Sequence, residues 1–293
     1  MRGLAPAALA VAVAATPALA QSAIELSRPA PAAGIVEIEN AAGSVKVRGW
    51  DRAEVEVTGE LGRGAEPLEL EGTDRITTIR VVLPAGCRRC DGSDLVVRVP
   101  RGSRLEIGVV SADVDVRDVA GALVVASVSG EITIAGGPAG VSAKSVSGSI
   151  ELRGASGPVR AAAVSGDVTL RGVEGTVEAS SVSGEVLVSG GAFTRADLGT
   201  TSGSVRFEGE LAGAAHLEAA SVSGDVELLL AAGASARFDV STFSGEIENQ
   251  LGPPARRSGQ LTPEKELRFV TGAGQAHVEA RSFSGTIRIL RRR

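Results

Sequence analysis

The sequence has no tyrosine, one tryptophan and six phenylalanines among its 293 residues. An enzyme that cuts polysaccharide on a β-helix needs clustered carboxylates or a basic residue in a groove, and usually aromatic platforms for the sugar rings. The shortage of aromatics argues against that class. Cysteine is equally scarce, with only Cys87 and Cys90, so a thiolate zinc site would lack two ligands. After the first twenty residues there is no apolar run of about eighteen, the minimum for a membrane-spanning helix. The formal net charge is −5, with both signs interspersed, and this gives no bulk attraction to nucleic acid or to an anionic membrane. The G-x-S-x-G, H-E-x-x-H and P-loop motifs are absent as well. These absences leave no catalytic residue, no cofactor and no metal site to assign, and the chain reads as non-enzymatic.

What is present is a repeat. Ser127-Val-Ser-Gly-Glu-Ile-Thr-Ile134, Ser145-Val-Ser-Gly-Ser-Ile-Glu-Leu152, Ala163-Val-Ser-Gly-Asp-Val-Thr-Leu170 and Ser181-Val-Ser-Gly-Glu-Val-Leu-Val188 follow in succession. Further copies lie at Thr200–Phe207, Ser221–Leu228, Thr242–Asn249 and Ser282–Ile289, with a degenerate copy at Val109–Val116. Gly130, Gly148, Gly166 and Gly184 recur every eighteen residues, and later steps lengthen to nineteen and twenty-one. A period this short implies stacked units that bury their faces only against neighbours. Apolar residues alternate after each Ser-Gly corner (Ile132 and Ile134, Val168 and Leu170), and a second alternating stretch leads to the next corner, as in Val177, Ala179 and Ser181. Period-two alternation marks half-buried strands. The expected fold is therefore all-β, a single-domain β-solenoid with two short strands per 18–21-residue coil. Residues 24–108 are expected to form irregular coils with longer loops, 109–249 the regular repeats, 250–266 an excursion, and 267–293 a final coil. Residues 264–269 fit either a short helix or a strand.

Residues 1–20 have the layout of a signal peptide: Arg2, an apolar stretch over Leu4–Ala15, and Ala18-Leu-Ala20 before Gln21. The mature chain, 21–293, is then exported, to the periplasm or the cell surface, with no transmembrane segment. Cys87-Arg-Arg-Cys90 sits among turn formers. A small loop-closing disulfide suits an oxidising compartment, and a redox motif is the alternative, although a redox CxxC normally opens a helix.

Along the repeat, several columns invite a functional reading. The corner serines Ser129, Ser147, Ser165, Ser183, Ser202, Ser223, Ser244 and Ser284 are expected to bond backbone at tight corners where glycine supplies an unusual dihedral. Glu131, Asp167, Glu185, Asp225 and Glu246 follow the corner glycines, and calcium is the alternative to a solvated acidic edge. Arg195, His216, Arg237 and His277 share one register beside the acidic Glu178, Asp197, Glu218, Asp239 and Glu279. The two histidines are expected two coils apart, with an arginine between them, on a charge-compensated face. Val128, Val146, Val164, Val182, Val222, Phe243 and Phe283 precede the corner serines. Strict alternation turns them outward as a candidate interaction ridge, whereas a bulge would tuck them in. Arg291-Arg-Arg293 is expected to guard the open end of the stack with charge.

Val47-Arg-Gly-Trp-Asp51, Asp94-Leu-Val-Val-Arg-Val-Pro100, the serial Val-Ser-Gly-Asp/Glu units and the ending Gly272-Ala-Gly274…Ser282-Phe-Ser-Gly285-Thr-Ile-Arg-Ile289 carry a resemblance. Over nearly the whole mature chain the sequence resembles a bacterial β-strand-repeat family, a domain of unknown function whose members are labelled as candidate adhesins. The resemblance implies a β-solenoid facing the envelope and transfers no catalytic residue. The function expected is a binding or structural scaffold for an unidentified envelope or surface protein or glycan. A polysaccharide-active enzyme and an envelope sensor or regulatory accessory are the alternatives.

Overall fold

The computed structural model describes residues 22–84, 87, 90–257 and 264–292. Residues 1–20, expected from the sequence to be a signal peptide, lie outside the described residues, as does Arg293. The described residues are strand and turn, with no helix among them. Residues 265–270, ambiguous in sequence, form a strand.

Two rows of short parallel strands stack in register. One row runs through residues 122–127, 140–145 and 159–163, where Leu123 pairs with Val141 and Val141 with Val159. It continues through the second halves of Val168–Ser181, Val186–Thr200 and Val205–Ser221. The other row carries Ile132, Ile150, Val168, Val186, Val205 and Val226 as successive partners. Between the rows lies the core, built from the inward member of every alternating pair. Val177, Ala179 and Ser181 are all buried, as are Leu217, Ala219 and Ser221. Side chains shrink toward each corner because the two rows converge there. Phe193 and Phe207 fill the wider middle, in edge contact with ring centroids 5.0 Å apart.

The corner itself differs from expectation. Ser129 and its equivalents are exposed. The working hydroxyl belongs to the residue two positions earlier, which is buried: Gly148 N–H donates to Ser145 Oγ, Gly184 N–H to Ser181 Oγ and Gly203 N–H to Thr200 Oγ1, at 2.9–3.1 Å. Ser181 and Thr200 donate onward to the carbonyl of the preceding corner glycine, to Gly166 at 2.9 Å and to Gly184 at 3.1 Å. Nor do the corner glycines adopt positive φ. Glycine is required because the coils approach so closely: a Cβ on Gly166 would lie 2.1 Å from the carbonyl oxygen of Gly148. Alanine replaces the hydroxyl at position 163. Ala163→Ser should complete the ladder between Gly166 and Gly148 and add about 0.5–1.5 kcal/mol of stability. Urea unfolding checks this, and an unchanged midpoint would count against a ladder role for these hydroxyls.

At both ends the coils stack out of sequence order. Residues 35–48 pair on one side with 104–117, and on the other with 76–81 and 93–98, a segment that comes between them in the chain. The C-terminal end repeats the device. Residues 216–221 pair with 277–282, which in turn pair with 236–242; 226–230 pair with 287–291, which pair with 247–249. The last coil in the chain is thus threaded between two earlier ones. Antiparallel strands cover the outer coils: Glu54–Leu61 on 94–98, Ser22–Pro29 on Glu54–Leu61, Glu69–Gly72 on 77–80, and Lys265–Val270 on 237–242. Phe269 of the last cover stacks on Phe238 at 4.4 Å.

This order corrects the expected place of the C-terminal arginines. Residues 287–291 are interior to their row, so the charge does not guard an open end; Arg292 N–H instead donates to Leu230 C=O at 2.8 Å. The 24–108 region likewise differs from a simple run of coils, because it mixes parallel pairs with antiparallel covers. Cys87 and Cys90 form a disulfide. It closes a very short loop, so reduction should cost at most about 2 kcal/mol and leave the β-sheet circular dichroism intact.

Candidate interaction ridge and charged face

The residue before each corner serine points outward. Val128, Val146, Val164, Val182 and Val222 are 44–48% exposed, Phe243 is 45% exposed and Phe283 56%. Of the two expected geometries, alternation holds and no bulge hides these side chains. The backbone sets their spacing. Ser147 N–H donates to Val128 C=O, Ser165 to Val146, Ser183 to Val164, Ser202 to Val182 and Ser284 to Val222, all at 2.8–3.0 Å. One apolar side chain is therefore presented per coil, on neighbouring rungs about 4.8 Å apart. Thr201 interrupts the line between Val182 and Val222. At the far end Phe283 stacks on Phe243 with centroids 4.9 Å apart, on the paired rungs 236–242 and 276–282.

The ridge begins further toward the N-terminus than the sequence indicates. Val110, in the degenerate repeat, is 52% exposed and receives the Ser129 N–H. Beside Val110 and Val128 lies a groove of about 470 Å³, bordered also by Val82, Leu83, Ala41 and Ala126. Its signal was present in the alternation of Val109–Val116, but the wall formed by residues 80–83 comes from an out-of-order coil. The groove opens onto the start of the ridge, with which it shares Val110 and Val128.

The acidic column beside the ridge has a structural use. Asp113 Oδ1 accepts the Glu131 N–H at 2.9 Å, Asp167 Oδ1 the Glu185 N–H at 2.8 Å, and Asp225 Oδ1 the Thr286 N–H at 2.8 Å. The Thr286 amide holds the Asp225 carboxyl below its ordinary value; burial opposes this, and Arg288 at 2.9 Å reinforces it. With a depressed carboxyl, the stabilisation is present above the unfolded value of about 3.9 and is lost as pH falls through the lower folded value. The seam between residues 225 and 286 should therefore stay closed from neutral pH down to about 4 and loosen only in stronger acid. Amide exchange of Thr286 across an acid series checks this. Loosening already near pH 6 would assign the seam to another group.

On the flank, the expected pairing between the basic and acidic columns holds for Arg195 with Asp197 at 2.7 Å, whereas Glu178 and Asp239 take their arginines from elsewhere: Arg160 in the acidic register itself at 2.6 Å, and Arg268 on the antiparallel cover at 3.2 Å. Such exposed pairs contribute little individually. The order of the column is corrected, however. It reads Arg195, His216, His277, Arg237, because the threaded coil brings His277 directly against His216. Their rings stack with centroids 5.4 Å apart. Trp50, the sole tryptophan, donates from Nε1 to Glu54 C=O and lies under Arg52. This is a packing role.

Among known proteins, the profile of the Toastrack DUF4097 family matches residues 35–290. No curated protein matches the chain. Two solved structures are similar in part. A candidate adhesin from Parabacteroides distasonis ATCC 8503 is 11% identical, with a TM-score of 0.41, and the match covers 92% of this chain and 98% of that one. A candidate cell adhesion protein from Clostridium sporogenes ATCC 15579 is 8% identical, with a TM-score of 0.23, and the match covers 92% and 100%. At these scores neither superposes on the chain as a whole.

Proposed function

This chain belongs to the Toastrack DUF4097 family, and from that premise we propose that it is an exported, non-catalytic β-solenoid scaffold that docks an envelope or surface partner along its apolar ridge. The observation that carries the reading is the ridge itself. A soluble chain gains nothing from holding a valine or phenylalanine outward on nearly every coil, and contiguous exposed apolar surface of this kind marks interaction sites. The spacing suits a partner with its own repeat of about 4.8 Å, an extended strand edge or a stacked chain, which would seat one group per rung. Export is supported by the layout of residues 1–20 and by the disulfide, which fits an oxidising compartment.

The test is site-specific photocrosslinking from positions 164 and 182 in cells, with Glu178 as a control position on the flank. The scaffold reading expects one partner captured from the ridge and not from the flank. With the photoprobe moved to ridge position 146, Val164→Asp with Val182→Asp should abolish capture while shifting stability by no more than about 0.5 kcal/mol, since both side chains are already half exposed. Equal capture from ridge and flank, or capture indifferent to the two aspartates, overturns the ridge as the docking surface.

A further inference from the structure

The out-of-order coil creates a cluster on the charged flank that the linear sequence separates. Rungs 196–200, 216–221 and 277–282 are neighbours, so Asp197, Glu218 and Glu279 form one outward column and Arg195, His216 and His277 the next. Ligand atoms of Asp197, His216 and Glu218 all lie within 4.8 Å of one another, and they are the one such group among the described residues. His216 Nε2 is 4.0 Å from Glu218 Oε2. A tetrahedral zinc ion with bonds of about 2.0–2.2 Å holds its donors roughly 3.3–3.6 Å apart. Closing the group around an ion therefore takes movements of about an ångström, within the rotamer freedom of half-exposed side chains.

A second, independent observation points to a missing partner. Asp197 Oδ2 accepts from Arg195 Nε at 2.7 Å, but its Oδ1 is buried and receives no hydrogen bond. A carboxylate oxygen shut away from water without a donor is costly, and a cation beside it would remove that cost. In this outward column Arg195 pairs with Asp197 and Arg281 with Glu279, while Glu218 has His216 Nε2 at 4.0 Å.

We propose that Asp197, His216 and Glu218 form a binding site for a divalent transition metal of the zinc class, with the stacked His277 turning in as a fourth donor. Imidazole with carboxylate suits zinc, and the absence of thiolates disfavours softer ions. The ion would tie three consecutive coils together, pinning the threaded last coil to the body of the stack. It lies on the flank and does not depend on the ridge as a docking surface.

The probe is zinc chloride alone, titrated calorimetrically into untagged, chelator-washed protein, with thermal melting and amide exchange read in parallel. The expected result is one equivalent bound, a melting temperature that rises with free zinc, and slowed exchange over residues 277–282. His216→Ala should weaken binding at least about 100-fold and His277→Ala about tenfold, while the metal-free melting temperatures stay close to wild type because both rings are partly solvated. No saturable binding up to about 1 mM free zinc, or equal affinity in His216→Ala, overturns the site. An unchanged affinity in His277→Ala overturns the fourth donor.

Discussion

Gly184→Ala should destabilise the chain by about 3 kcal/mol or more, the upper range for forcing atoms into a packed site, although it adds a single methyl group. The Cβ would sit 2.1 Å from the Gly166 carbonyl oxygen, 2.6 Å from its carbon and 2.9 Å from Ser181 Oγ. Two of those atoms are backbone and cannot rotate away. Relief requires the two coils to separate at the corner, where Ser183 N–H meets Val164 C=O at 2.9 Å and Ser181 Oγ bridges Gly184 N–H and Gly166 C=O. Opening one corner therefore loosens several bonds together. Gly108 provides the control. It has no atom within 4 Å of a built Cβ and no positive φ, so Gly108→Ala should be neutral or stabilise by about 0.5–1 kcal/mol through lost unfolded-state freedom. Stacked repeats can unfold in parts, so the comparison is best made by hydrogen exchange over residues 164–207 beside denaturant unfolding. Similar results for the two variants would mean that the corner glycines are not set by close approach.

That pair of glycines shows how far the sequence could be read. The eighteen-residue period placed every regular corner, and alternation placed both the core and the outward valines, because each follows from geometry within about ten residues. The reason for the corner glycine was not legible: a close approach between carbonyl and Cα on adjacent coils looks the same, in one repeat, as a special dihedral. The hydroxyl was misplaced for a related reason. Ser127 and Ser129 are equally good turn residues, and only the burial of the first decides which one bonds the glycine. Stacking order was the least legible feature. Every coil presents the same register to both neighbours, so residues 216–221 could pair equally well with 236–242 or with 277–282. The links 231–235 and 271–275 touch in either order, because 236–242 and 277–282 are neighbours in both; what marks the observed order is Lys265–Val270, which takes the edge of 237–242 that would otherwise face 216–221. As a result the histidines and the groove beside Val110 were each seen as separate residues and not as sites.

The threaded order also gives the second large effect. Deleting residues 271–293 should unfold more than it removes. In a stack built in sequence order, losing the last coil exposes the one before it and leaves that coil in place. Here the deleted coil lies between 215–230 and 236–249, so its loss takes away the parallel partner of residues 236–242 and of 247–249 at once. What remains of 236–270 is a hairpin with its cover, joined to the body by a five-residue link and no ladder. Val278, Ile287 and Ile289 are completely buried, and each contributes roughly 1.5–3 kcal/mol through burial. Their sum is comparable with the whole stability of an ordinary domain, even after allowing for a compact unfolded state. Exchange protection should therefore vanish across residues 236–249 in the truncated chain, while residues 122–200 keep theirs, since repeats couple chiefly to their nearest neighbours. Retained protection over 236–249 would mean that this coil re-docks on 215–230 in sequence order. The threading would then be one of two accessible stackings, chosen by the last coil's greater burial and not by the cover strand Lys265–Val270.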